Sequence, residues 1–96
     1  MITVHIFALA GAFAENKDIA RDLRLHRLKP ALEKNENIVL DFSKVDGATQ
    51  SFIHALISDL IRHGGAQVLD KITFKSCNET IKKIIGIVTD YMQESE

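Results

Sequence analysis

The stretch Ile38-Val39-Leu40-Asp41-Phe42-Ser43-Lys44-Val45-Asp46-Gly47-Ala48-Thr49-Gln50-Ser51-Phe52-Ile53 decides the fold. From Asn37 to Phe42 the run is almost continuously apolar, the pattern of a strand buried on both faces and therefore central in a parallel sheet. Ser43 to Thr49 carries turn chemistry, with Asp46-Gly47 as its sharpest breaker. Thr49 is placed to cap a helix over Gln50 to Arg62. Phe52, Ile53, Leu56, Ile57, Leu60 and Ile61 recur with helical spacing and form a broad buried face. His63-Gly64-Gly65 stops that helix, because glycine accepts the left-handed conformation at a helix end.

Outward from this unit the pattern repeats. Ile2 to Phe7 is apolar and β-branched and reads as a first strand, followed by a turn or close-packed crossing over Ala8 to Ala14. Asn16 caps the next helix, and Asp18 sits in its first turn, where the helix dipole favours an acid. Ile19, Leu23, Leu28, Ala31 and Leu32 approximate a buried stripe. Pro30 would cost about 3 kcal/mol inside a regular helix, so a kinked helix ending by Asn35 is expected. After the central unit, Ala66 to Lys71 is a connector, and Ile72 to Phe74 is a third strand. Ser76 with Glu79 matches a capping box for a last helix whose stripe is Ile81, Ile84, Ile85, Val88 and Met92. Gln93 to Glu96 is expected to fray. The alternation predicts an α/β fold in order β-α-β-α-β-α: a sheet of about three to four mostly parallel strands with three main helices.

Residues 1–96 are expected to form a single domain. The apolar share (46%) and charged share (26%) are those of an ordinary globular chain, and the formal net charge is −1. Basic residues alternate with acidic ones, so the stripe that a nucleic-acid binder needs is missing. One cysteine, Cys77, has no internal disulfide partner, which fits a reducing, cytoplasmic compartment. The apolar start lacks a positive leader region and is interrupted by His5, so it is read as structure, not as a signal peptide. No segment approaches the roughly 18 apolar residues of a membrane span.

Chemistry-bearing motifs are few. Gly64-Gly65 follows a helix, not a strand, and so is no phosphate cradle. His5, His26, His54 and His63 have no ligand spacing, and neither a metal nor another cofactor is expected. Asp41 stands at the carboxyl end of the central strand, where open α/β sheets place ligand and catalytic groups, yet its simpler role is to orient the following loop. Asp46 likewise closes a turn with Gly47. Cys77 precedes a helix, but no cationic partner adjoins it, so it reads as a small buried hydrophobe. Ser51 carries more weight. It lies in the first turn of a helix, where backbone N–H groups and the dipole favour negative charge, so a phosphate on Ser51, or secondarily on Thr49 or Ser43, fits the fold. Ser51, His54, Ser58 and Arg62 fall on one helical stripe beside the buried face.

The segment from Ile38 to Leu56, with its Leu-Asp-Phe, short loop and Gln-Ser-Phe, resembles the central motif of STAS domains. It is most similar to a STAS-like family of unknown function. The likeness extends from the first strand through Phe74-Lys75-Ser76-Cys77-Asn78 and the last helix, with a shortened initial hairpin. Anti-sigma-factor antagonists of the STAS type bind a GHKL-type ATPase/kinase, which phosphorylates a serine at the entry to this helix within Asp-Ser-Ser-Gly. Aligned without gaps, Ser51 takes the phosphorylated place, Gln50 the first Ser, Thr49 the Asp and Phe52 the Gly. The resemblance implies a non-enzymatic regulatory module that docks a histidine-kinase-like ATPase through the loop 43–49 and helix 50–62. Asp46, Thr49, Ser51, His54, Ser58 and Arg62 would form the contact surface. Two other expectations stand beside it. One is a ligand-binding or catalytic site near Asp41, Asp46 and Cys77. The other is pairing with a second copy through an edge strand.

Overall fold

The computed structural model describes residues 1–94. Strand β1 (Ile2–His5) is followed at once by a short helix α1 (Ile6–Ala10) and a two-residue strand β2 (Phe13–Ala14). Helix α2 (Lys17–Leu23) runs through a π-helical turn (Arg24–Leu28) into α3 (Lys29–Glu33) as one rod. The central strand β3 (Ile38–Asp41) leads to a second short strand, β4 (Gly47–Ala48), and to helix α4 (Gln50–Gly64). A 3₁₀ turn (Ala66–Lys71), strand β5 (Ile72–Lys75) and helix α5 (Glu79–Glu94) complete the chain.

The main sheet has the order β1-β3-β5, parallel throughout, with Ile2, Ile38 and Ile72 in one row and Val4, Leu40 and Phe74 in another. β3 is central, as its apolar run requires. The strand order never reverses direction. Right-handed crossovers, the near-universal hand, then put both intervening helices on one face of the sheet. Burial follows this rule. Val4, Ile38, Leu40 and Ile72 are buried under the helices, while Thr3, His5, Thr73 and Lys75 on the opposite face are exposed. The two edges are β1 and β5.

Local chemistry explains the remaining elements. Asn16 Oδ1 accepts from the Asp18 N–H at 2.9 Å, which caps α2. Pro30 lies in the first turn of α3, where a missing N–H costs least. Its strain is absorbed upstream, where the Lys29 N–H donates to the Arg24 carbonyl across five residues and Pro30 opens a fresh α segment. The π turn also corrects phase. Residues five apart on an α-helix differ by ~140°, but the wider turn brings Leu23 and Leu28 to the same buried side with Ala20 and Ala31. Asn35, left-handed at φ 61°, ends the rod.

Three expectations need correction. The first strand stops at His5 rather than Phe7, because Ile6 begins α1. Ala8 to Ala14 is not a plain turn but holds the end of α1 and β2, which pairs in parallel with β4. α5 is capped by Asn78, not by a box of Ser76 and Glu79. Asn78 Oδ1 accepts from the Ile81 N–H at 2.9 Å, whereas Ser76 sits at φ 58° within the preceding turn. α5 runs through Glu94; of the end expected to fray, residues 95 and 96 lie outside those described. Among the described residues no helix is long and apolar enough to cross a membrane.

Candidate functional site

The loop from Ser43 to Thr49 is held from three sides. The Asp46 and Gly47 N–H groups donate to the Ala12 carbonyl at 2.7 and 3.3 Å, and the Thr49 N–H donates to the Ala14 carbonyl at 2.9 Å. From the other flank, Asn78 Nδ2 donates to the Asp46 carbonyl at 2.7 Å. Inside the loop, the Val45 N–H closes a turn onto the Phe42 carbonyl, and Lys44 takes a left-handed φ of 69°. Gly47 is required by close approach. A Cβ there would meet the Phe13 ring at 3.1 Å.

The three candidate hydroxyls differ in what holds them. Thr49 Oγ1 accepts from the Phe52 N–H at 3.0 Å and is spent on capping α4. Ser43 Oγ donates to Asp41 Oδ1 at 2.6 Å and is spent on the turn. Ser51 is exposed one residue into α4, and among the described residues nothing binds its hydroxyl. His54 and Arg62 are exposed on the same helix. Ser58 is not. It is only 2% exposed, with its hydroxyl 3.3 Å from His54 Nδ1, so it contributes no contact surface. Helical spacing put Ser58 on the stripe. The packing of α4 between the α2 rod and α5 widens the buried arc beyond what the apolar residues alone mark.

Sequence reasoning missed the apolar rim of this loop. Phe7, Leu9 and Phe13 are 40%, 47% and 53% exposed. Phe13 lies over Gly47, and the Lys44 ammonium stands 5.9 Å from the centre of the Phe7 ring, so both aromatics border the loop. A signal was present. Ile6 to Ala14 contains no charged or hydrogen-bonding side chain, and only Ile6 and Ala14 are buried by the fold.

At the carboxyl end of the sheet, His5, Asp41 and Lys75 share one row. The buried Asp41 carboxylate accepts from the Ser43 hydroxyl and from the Ser43 N–H at 2.9 Å, and its second oxygen lies 3.2 Å from His5 Nδ1. The Ser43 hydroxyl, then its N–H, hold this carboxyl below its ordinary value, with smaller help from Lys75 and His5. Such a carboxylate is a weak base, and its role here is to shape the loop. Burial pushes the half-buried Cys77 thiol up, against the pull of Lys82, so it is not an activated nucleophile. Among the described residues no cluster of three His, Cys, Asp or Glu side chains could hold a metal.

A cavity of about 470 Å³ lies elsewhere, between the π turn, α3, the end of α4 and the 3₁₀ turn. None of Asp41, Asp46 and Cys77 lines it.

No match to the chain is found among curated proteins or among solved structures. Residues 20–82 match the model of one family, described as a STAS-like domain of unknown function (DUF4325). That span contains the whole β3–loop–α4 unit with the π turn before it and β5 after it, and on this ground the chain belongs to the STAS-like DUF4325 family.

Proposed function

We propose that this chain is a non-enzymatic regulatory module that docks a partner protein through the loop 43–49 and the exposed start of α4. The observation that carries the proposal is the apolar rim. Phe7 and Phe13 stand exposed beside a loop that hydrogen bonds hold in place, and Leu9 is exposed on the same short segment. Exposed aromatics beside a preorganised loop are the composition of an interface core, and the fixed loop lowers the ordering cost of binding. Asp46, Ser51 and His54 supply the polar surround, whereas Arg62 stands in the last turn of α4, paired with Asp59. Thr49 acts through its cap instead of by contact.

The partner proposed is a GHKL-type, histidine-kinase-like ATPase, the class that the STAS resemblance brings. Phosphate on Ser51 would be the switch. Its hydroxyl is free, and the N-terminus of α4 favours negative charge there, so a phosphate would change the charge of this surface without opposing the fold.

The test is in-cell photocrosslinking from position 13 and from position 91 on the exposed side of α5, with mass spectrometry of Ser51 in parallel. The expected result is a discrete protein adduct from position 13, absent from position 91, and lost in Ser51→Glu with the fold intact. No adduct from position 13, or the same adducts from both positions, overturns the docking surface. A partner adduct without any Ser51 phosphate removes the switch and leaves the surface.

A further inference from the structure

The structure assigns a second binding site: the cavity under the end of α4 takes a small amphipathic organic anion, an apolar body ending in a carboxylate. At about 470 Å³ it lies within the size range of small-molecule sites. Its apolar lining comes from three elements, with Leu25 from the π turn, Leu32 from α3, and Leu60 and Val68 from the far wall. Leu60 and Val68 are buried, whereas Leu25 is 38% exposed, an unusual cost for a leucine that lines a hollow.

The charges around this lining are unequal. Arg24 is already committed. One guanidinium nitrogen donates to the Ala55 carbonyl at 2.7 Å and lies 3.3 Å from Asp59, which also pairs with Arg62 at 3.0 Å. His63 Nδ1–H donates to the Asp59 carbonyl at 2.8 Å. What remains on the lining is Lys29, Lys71 and Glu33, an excess of one positive charge with no ion pair among the described residues. The carbonyl end of α4 opposes an anion with about half a charge. The last intrahelical bond runs from the Gly65 N–H to the Ile61 carbonyl at 2.7 Å, so that partial charge sits on the carbonyls after Ile61. The net excess of one lysine charge outweighs that half charge. The π turn fits the same role, since such turns recur at functional sites and this one turns Leu25 and Lys29 toward the hollow.

The site lies at the opposite end of α4 from Ser51, so the two readings fail separately. The experiment is an amide-shift NMR titration of the intact chain with octanoate, octanol and octylammonium. Octanoate is expected to move the amides of Leu25, Leu32, Leu60, Val68 and Lys71 in one saturable process that weakens with added salt. Octanol should bind more weakly and octylammonium most weakly. Lys71→Glu and Lys29→Glu, each checked for native spectra, should weaken octanoate by roughly three- to tenfold and bring octylammonium closer to it. Ser51→Glu should leave the titration unchanged. The proposal is overturned if octanoate moves no amide around the cavity, if octylammonium binds as well as octanoate, or if salt and both lysine reversals leave the affinity unaltered.

Discussion

Asn78 joins the loop to the last helix, and its two bonds can be separated by substitution. Its Oδ1 caps α5 at Ile81, and its Nδ2 holds the Asp46 carbonyl. Asn78→Ala removes both. The cap is worth about 1 kcal/mol, and an exposed amide bond adds roughly 0.5–1 kcal/mol, so a loss of about 1.5–2 kcal/mol is expected. Asn78→Asp keeps the cap acceptor and gains about 0.3–1 kcal/mol at the helix N-terminus, but it loses the tie to Asp46. Its net effect should therefore lie within about 0.5 kcal/mol of the parent. Ser76→Ala should be near neutral, since Ser76 is no part of the cap. Urea midpoints at constant slope read these differences. Amide exchange at Asp46 and Gly47, both bonded to Ala12, should quicken in both Asn78 variants. The reasoning is refuted if Asn78→Asp costs as much as Asn78→Ala, or if Ser76→Ala costs more than either.

Two further outcomes follow from packing and charge. Phe52 is fully buried where the related phosphoswitch motif has glycine, so Phe52→Gly removes a core side chain at about 3–5 kcal/mol and adds about 1 kcal/mol for glycine in a helix. Thermal melts should show most of a small domain's stability gone, and a loss under about 2 kcal/mol would contradict the burial. The Asp41 carboxyl is held below its ordinary 3.8, so the stability it contributes is complete above that value and is lost as pH falls through the lowered folded value. Ser43→Ala removes the largest cause and should raise the Asp41 titration toward 3.8, read from its carboxyl carbon shift; an Asp41 that titrates at or above 3.8 in the parent would contradict the geometry.

The sheet was legible because its determinants are local and redundant. The run Ile38 to Phe42 could only be a central strand, and the Thr49 and Asn16 caps are side-chain chemistry written at a single position. What stayed hidden depends on contacts between distant segments. The pairing of β2 with β4 is two residues long and leaves no periodic trace. Ser58 is a polar residue at a surface-like spacing, and only the packing around α4 buries it. Asn78 displaced Ser76 as the cap because Ser76 is committed to a left-handed turn that no pattern of residue types marks. For the site, Ser51 was visible from helix-entry chemistry, but its apolar surround was not. Phe7 read as the end of a strand, and Leu9 and Phe13 as part of a turn or close-packed crossing, until the fold leaves all three exposed.

The π turn at Arg24–Leu28 has a consequence for chain length. Between Lys17 and Glu33 the rod holds one residue more than an unbroken α-helix would use to join the same two buried stripes. A surplus residue in a loop is taken up as slack. Here it is held as rotation, because each residue of an α-helix turns the chain by about 100°. Deleting the exposed His26 would let the turn revert to α geometry with Leu23 and Leu28 four apart, about 40° from one another, so the two buried stripes would stay in line. An inserted residue would instead swing Lys17–Leu23 about the rod axis by about 100°; Arg24 would leave the Ala55 carbonyl, and Ala20 and Leu23 would leave the core. In this segment a one-residue insertion is a change of helix orientation, whereas a one-residue deletion is absorbed by the loss of the π turn, so the two changes of length are not equivalent.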